Sequence, residues 1–461
     1  MGSGHLGRTP FFISPLLSPA PSLFFPKRSI TIEWMALPGW LKESVRPYYL
    51  RWLYFRLFPS RRPAGFRDCW QYPYRRLVLE DPLFAGDSKA SYLVFYPMTD
   101  WHTRIQRSQH LARTFARSGW RCLYLSPHLG REFESVRRFD PSHRLSQLEE
   151  NVWELHIRLP REPVFHQRLL TAGEEAIVMD AVSRVIPAGA RRVVQMVSFP
   201  LWWPVARRLR QVSGFPILYD CHDLLSGFGN VGADLLAAEA PLIDGADLVL
   251  FSSLGLMEHF PGVPNRLLVR NGVTAREFAN VPAVASAVPV VGYLGALDSW
   301  FDIEAVEQAA AAHPQCRFVL AGRVEFEPIR RLERISNVEL LGEVPYDRVP
   351  GLLASFQVGL IPFRINPLTL MTNPIKLYEY FSRGIPVVSA PLPEACAMGD
   401  LVYLGADPTE FSRAVSQAVR EDDPARRARR REIAEHESWE SRALEIMART
   451  ESLLPPSPLA G

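Results

Sequence analysis

The chain is predicted to form an α/β molecule of two doubly wound, Rossmann-like domains, each a parallel sheet covered by helices, facing a central cleft. Three observations carry this expectation. Short apolar runs of strand type alternate with helical stretches, which is the pattern of a helix-covered parallel sheet. The alternation occurs twice, before and after a proline-bounded stretch at residues 282–289. The length, 461 residues, is too great for one ordinary core and suits two domains with linkers or tails. Hydrophobic residues make up 47% and charged residues 22%, a globular composition.

The first 90 residues differ from the rest. Residues 1–34 are rich in Pro, Ser and Phe and read as disordered, with Met35 a candidate initiator. Prolines interrupt the apolar run 13–25, and no stretch reaches the roughly 20 apolar residues a spanning helix needs. Residues 40–62 set Trp40, Tyr48, Trp52 and Phe55 among Arg46, Arg51, Arg56 and Arg61. Such a mixture suits an anionic membrane interface, where rings sit at headgroup depth. A helix packing on the folded domains is the other reading.

The folded body begins near Ser91. Residues 92–96 form a first strand, 106–116 a helix, and Gly119 a stop before the strand at 122–125. Strands follow at 152–157, 192–197, 217–219, 248–252 and 266–268, with helices at 174–185 and 201–212. The second series places strands at 290–295, 317–322, 338–342 and 358–362, with helices at 303–311 and 348–355. The expected division is an extension over 1–85, a first domain over 86–285, a second over 286–450, and a tail over 451–461. In such open sheets ligands bind beyond the carboxyl ends of the strands, so the cleft between the halves is the expected active site.

The segment Asn373-Pro374-Ile375-Lys376-Leu377-Tyr378-Glu379-Tyr380-Phe381 through Gly384 and Val388 carries the chemistry. Pro374 suits a first helical turn and Gly384 a C′ position. Leu377, Tyr380 and Phe381 share one face, leaving Lys376 and Glu379 to point elsewhere. A lysine near a helix N-terminus, with a carboxylate one turn on, can hold a diphosphate and a sugar hydroxyl. Gly322-Arg323 ends a strand, and a guanidinium fork suits phosphate oxygens. Asp100, Arg104 and Arg107 follow the first strand, on the cleft edge where an acceptor could sit. The solvated face of the following helix is the alternative for Arg107 and His110.

With these residues the chain resembles the nucleotide-sugar-dependent glycosyltransferases of the GT-B fold, specifically the retaining group called glycosyltransferase family 4. Those proteins end a helix with an acid and continue into a Gly-x-Pro-Val-Val strand. Asn271-Gly272-Val273 with Phe278, Asp247 through Ser252, and Gly292-Tyr293-Leu294-Gly295 resemble further family segments. The match spans roughly residues 92–445. Two departures stand out: Met371 replaces the first glutamate of the family's pair, and Asp298 through Asp302 lacks the usual Arg and Lys.

The resemblance implies that Gly295, Arg323, Val344, Asn373, Lys376 and Glu379 bind the donor, with Glu379 on the ribose and residues 344–346 near the base. It implies that His222 and Asp223, at a strand end of the first half, contact the donor sugar. The implied reaction moves a sugar from a nucleotide diphosphate sugar to an acceptor hydroxyl, retaining configuration, in cell-surface polysaccharide or glycolipid assembly. The acceptor is a carbohydrate or lipid-linked molecule. No cofactor or metal is implied, because cationic side chains and helix N-termini stabilise the leaving diphosphate. A GT-B-like epimerase and a catalytically idle scaffold are the alternatives.

Charge and cysteines narrow the setting. A formal net charge of +3 does not argue for nucleic acid. Five scattered cysteines without metal-ligand spacing argue for a reducing, cytoplasmic compartment and no zinc. A place on the inner membrane face follows if residues 40–62 bind lipid.

Overall fold

The computed structural model describes residues 74–76, 87–102, 104–129, 143–160, 163 and 165–456. The segments 1–34 and 40–62 lie outside these residues. No helix among the described residues is long and apolar enough to cross a membrane.

Among the described residues the first sheet contains β1 (Tyr74–Arg76), β2 (Ser91–Tyr96), β3 (Arg121–Leu125), β4 (Arg144–Glu149), β5 (Val152–His156), β6 (Arg192–Val197), β7 (Ile217–Cys221), β8 (Leu248–Phe251) and β9 (Arg266–Leu268). Their order is β1-β4-β5-β3-β2-β6-β7-β8-β9. The second sheet contains β10 (Val290–Leu294), β11 (Arg317–Ala321), β12 (Val338–Gly342), β13 (Val358–Ile361), β14 (Val387–Ser389) and β15 (Val402–Leu404), in the order β12-β11-β10-β13-β14-β15. Apart from the antiparallel edge formed by β1 and β4, each sheet starts at its middle, on β2 or β10, winds outward on one side, then crosses back and winds outward on the other. The order therefore reverses beside β2/β6 and β10/β13, where the crevices of doubly wound sheets open. Continuous apolar runs explain the strands: β2, β6 and β10 are buried along nearly their whole length, as strands covered on both faces must be.

One edge departs from the expected all-parallel first sheet. β4 pairs antiparallel with β5, and β1 antiparallel with β4. A two-residue turn joins β4 to β5, with Asn151 at φ 58, a left-handed conformation Asn tolerates. The sheet also takes in residues 74–76, ahead of the expected start near Ser91.

Among the helices, α1 (Arg107–Arg117) follows β2, α2 (Ile303–Ala312) follows β10 and α3 (Ile375–Ser382) follows β13. Pro374 caps α3, and Gly384, at φ +71, ends it with its N–H on the Phe381 carbonyl at 2.8 Å. Leu377, Tyr380 and Phe381 bury one face in the second-domain core, as their spacing predicts. The last helix, α4 (Trp439–Glu451), lies in the range expected for the second domain, yet Trp439, Ala443 and Ile446 join Phe115 in a first-domain cluster. The chain thus crosses back.

A polar seam joins the domains below the cleft. The Asn271 N–H donates to Asn373 Oδ1 at 2.9 Å, and Asn271 Nδ2 donates to the Asn373 carbonyl at 2.6 Å. Asn373 Nδ2 in turn reaches the Tyr378 hydroxyl and Glu394 Oε2, which also takes Arg270 Nε at 2.7 Å.

Candidate active site

Between the domains lies a cavity of about 860 Å³ lined from both sides. Its second-domain wall stands at the carboxyl ends of β10 and β11. Gly295 and Gly322, at φ +132 and +157, let two strand-end loops touch: a Cβ on Gly322 would fall 1.7 Å from the Gly295 carbonyl oxygen. A Cβ on Gly295 would meet Lys376 Nζ at 3.2 Å, so the ammonium lies against that turn.

Lys376 Nζ sits 5.0 Å from the Tyr293 ring centroid and 4.7 Å from that of Phe363. These cation–π contacts hold the ammonium in a partly dry place. Burial lowers its pKa to about 8, against the opposing pull of Glu379. Glu379 is 8% exposed, lines the cavity, and its carboxylate has no hydrogen-bond partner among the described residues. Burial raises its pKa to about 7, with Lys376 acting in the other direction. A buried carboxylate without donors, one helical turn from a desolvated cation, is costly alone and suits a ligand that brings hydroxyls and negative charge. The first-turn N–H groups of α3 point the same way by the geometry of helix starts.

Arg323 lies on the same wall, but its guanidinium is taken: Nε and Nη2 both bond Glu325 Oε1. Arg104, from the first domain, crosses the cleft to Glu343 Oε1 at 3.0 Å and to Glu325 at 3.3 Å. Val344 lines the cavity with Tyr346, whose hydroxyl pKa burial and Glu379 raise.

On the first-domain wall, His222 and Asp223 line the cavity as expected. His222 Nδ1 donates to the Asp220 carbonyl at 3.0 Å. Its Nε2 is 3.7 Å from Asp223 Oδ2, too long for a hydrogen bond, so the strand-end backbone rather than Asp223 orients the ring. Burial raises the Asp223 pKa. Asp100 is bonded by the His102 N–H at 2.9 Å and faces His128.

Two further expected ligand residues, Arg107 and Asn373, line the cavity but are engaged in contacts within the protein. Arg107 is 3% exposed, so the solvated-face alternative fails. Its Nε donates to Asp220 at 2.8 Å and its Nη1 to Asn271, making it a pillar under the cleft floor, with Nη2 lacking a partner. Asn373, 2% exposed, spends its amide on the interdomain seam rather than on a donor. His110 is likewise buried, stacked on Trp439 at 4.8 Å, and burial lowers its pKa to about 3.

Met371 has a use of its own. Ser253 Oγ donates to its carbonyl at 2.6 Å, and its side chain packs with Leu368 on the first-domain core. An apolar interdomain anchor thus stands where the family carries a glutamate. Sequence reasoning missed Glu325 and Glu343, neither of which sits in a recognisable motif, and gave no separate role to Asp220 within the strand end that carries His222 and Asp223.

Residues 288–421 match the family model described as Glycosyl transferases group 1. The chain is 27% identical over 266 residues to TuaH of Bacillus subtilis strain 168, provisionally named a teichuronic acid biosynthesis glycosyltransferase, covering 51% of this chain and 66% of that protein. Among solved structures it resembles sucrose-phosphate synthase of Thermosynechococcus elongatus (TM-score 0.60, 17% identity, 79% of this chain and 99% of that one). It also resembles HepE of Anabaena with UDP and glucose (TM-score 0.55, 16% identity, 78% and 99%). The fold is the GT-B fold of these solved structures, and residues 288–421 are similar to the Glycosyl transferases group 1 family. Because the chain spans only 66% of the TuaH relative's length, what it transfers and to what are matters of proposal.

Proposed function

We propose that the protein transfers a sugar from a nucleotide diphosphate sugar to an acceptor hydroxyl, with retention, in cell-surface polysaccharide or glycolipid assembly. The observation that carries the reading is the Lys376/Glu379 pair: a desolvated ammonium and an unpartnered buried carboxylate against the Gly295 turn. Lys376, the first turn of α3 and Arg323 hold the diphosphate and stabilise the charge it gains on leaving. Arg323 does so after release from Glu325. Glu379 accepts from the ribose hydroxyls, since an ionised carboxylate is acceptor-only and can bridge two of them. Val344 and Tyr346 flank the base. His222 and Asp223 contact the sugar from the opposite wall, with Asp100 and Arg104 toward the acceptor. No metal is assigned to the leaving group. The neighbours' ligands make UDP-hexoses the first donors to try, and the TuaH name makes a polysaccharide chain the first acceptor.

The test is a screen of nucleotide sugars for nucleotide diphosphate release, with product analysis. Release that rises with an added saccharide acceptor supports transfer, whereas isomerised nucleotide sugar without release indicates an epimerase. An anionic membrane surface is the proposed place of work, tested by co-sedimenting vesicles with the full chain and with a chain starting at residue 85. Equal binding by both removes residues 40–62 from the account.

A further inference from the structure

The first-domain wall carries a second polar cluster, drawn from separate points of the chain: Asp100 and His102 after β2, His128 after β3, and Glu154 on β5. Ligand-capable atoms of Asp100, His102 and Glu154 all lie within 4.8 Å of one another. His102 Nε2 is 2.8 Å from Glu154 Oε2, and His128 Nε2 is 3.3 Å from Asp100 Oδ2. The His102 and Glu154 side chains are 3% and 2% exposed. Glu154 Oε1, fully buried, has no hydrogen-bond partner among the described residues, an arrangement folded proteins rarely leave without a bound group.

We propose that Asp100, His102, His128 and Glu154 form a binding site for one divalent cation of the zinc class, separate from the donor site. Two carboxylates and two neutral imidazoles carry a charge of −2, which one such cation balances. Zinc holds nitrogen and oxygen ligands at about 2.0–2.2 Å in a tetrahedron, which sets neighbouring ligand atoms about 3.3–3.6 Å apart. Asp100, His102 and Glu154 form the core of the site, and His128, paired with Asp100 at 3.3 Å but outside the 4.8 Å group, must swing inward to complete it. His128, 20% exposed, and Asp100, 10% exposed, give the cation a way in. His156 lies parallel to His128 with ring centroids 6.4 Å apart. Among the described residues no cysteine belongs to the cluster, whose ligands meet only through the sheet. None of this rests on the sugar-transfer reading.

The experiment titrates chelator-stripped, full-length protein with zinc chloride by calorimetry. The expected result is one saturable site per chain, weakened at least tenfold by Glu154→Gln and by His128→Asn. His259→Asn, an exposed histidine outside the cluster, should leave that site unchanged. Should Glu154→Gln fail to fold, the half-buried His128→Asn decides alone. Absence of a saturable site, or equal affinity in wild type and His128→Asn, would overturn the proposal and leave the cluster as an ion-pair network.

Discussion

Lys376 and Glu379 ought to set the pH range of donor binding, because their displaced pKa values bracket neutrality. Glu379 ionises near pH 7 and must be ionised to accept strongly from ribose hydroxyls, so affinity should rise as pH climbs through about 7. Lys376 loses its proton near pH 8 in the free protein, so affinity for a diphosphate should fall above about 8. The expected profile of nucleoside diphosphate affinity is a bell with its top between these values. Glu379→Gln should flatten the acid limb and Lys376→Met the alkaline limb. A flat wild-type profile from pH 6 to 9 would show that neither group meets the ligand. Glu325 supplies a second residue-scale prediction. It competes for Arg323 from a half-exposed position, so Glu325→Gln should tighten nucleoside diphosphate binding by up to about fivefold, the scale of an ion pair worth about 0.2–1 kcal/mol. Weaker binding in that variant would mean Glu325 presents Arg323 rather than withholding it.

At the level of elements, the strands and α3 were legible because their signals are local. An apolar run bounded by glycine needs no distant partner to be recognised, and the face of Leu377, Tyr380 and Phe381 is fixed by helical spacing alone. What was not legible depended on distance. Arg107 and Asn373 line the cavity, but their ties to Asp220, 113 positions away, and to Asn271, 102 positions away, have no local signal. The β1–β4 edge was hidden for the same reason, since a polar edge strand such as Arg144–Glu149 has too little apolar alternation to announce itself. Within the site, the strand-end histidine and the α3 pair were visible, while Glu325 and Glu343 were not. The seam makes its own prediction. Asn373→Ala leaves buried partners on Asn271, Tyr378 and Glu394 unpaired and should destabilise the fold by about 1–3 kcal/mol, read as a fall in thermal midpoint. An unchanged midpoint would show that the seam contributes nothing to stability.

Across the whole molecule, contacts between the two domains include the asparagine seam, the return of α4, the Met371 anchor and the Arg104 bridge over the cleft. The first two are buried and fixed. Arg104 is about a quarter exposed and pairs with Glu325 and Glu343, so it can release when a ligand enters. Arg104→Ala should move the open-to-closed ratio by up to about fivefold toward open, read as a larger radius of gyration by solution scattering without nucleotide. Identical scattering from both proteins would mean that the bridge does not hold the cleft.

The central claim is that one diphosphate lies between Arg323 and Lys376, and calorimetry with UDP and with uridine tests it most directly. Arg323→Ala and Lys376→Ala should each weaken UDP binding by roughly 1.5–3 kcal/mol, the range for hydrogen bonds to charged groups. Uridine, which brings no phosphate to either cation, should bind both variants as it binds the wild type. If UDP and uridine weaken equally, or if neither changes, the two cations serve the fold rather than the phosphates and the account is contradicted.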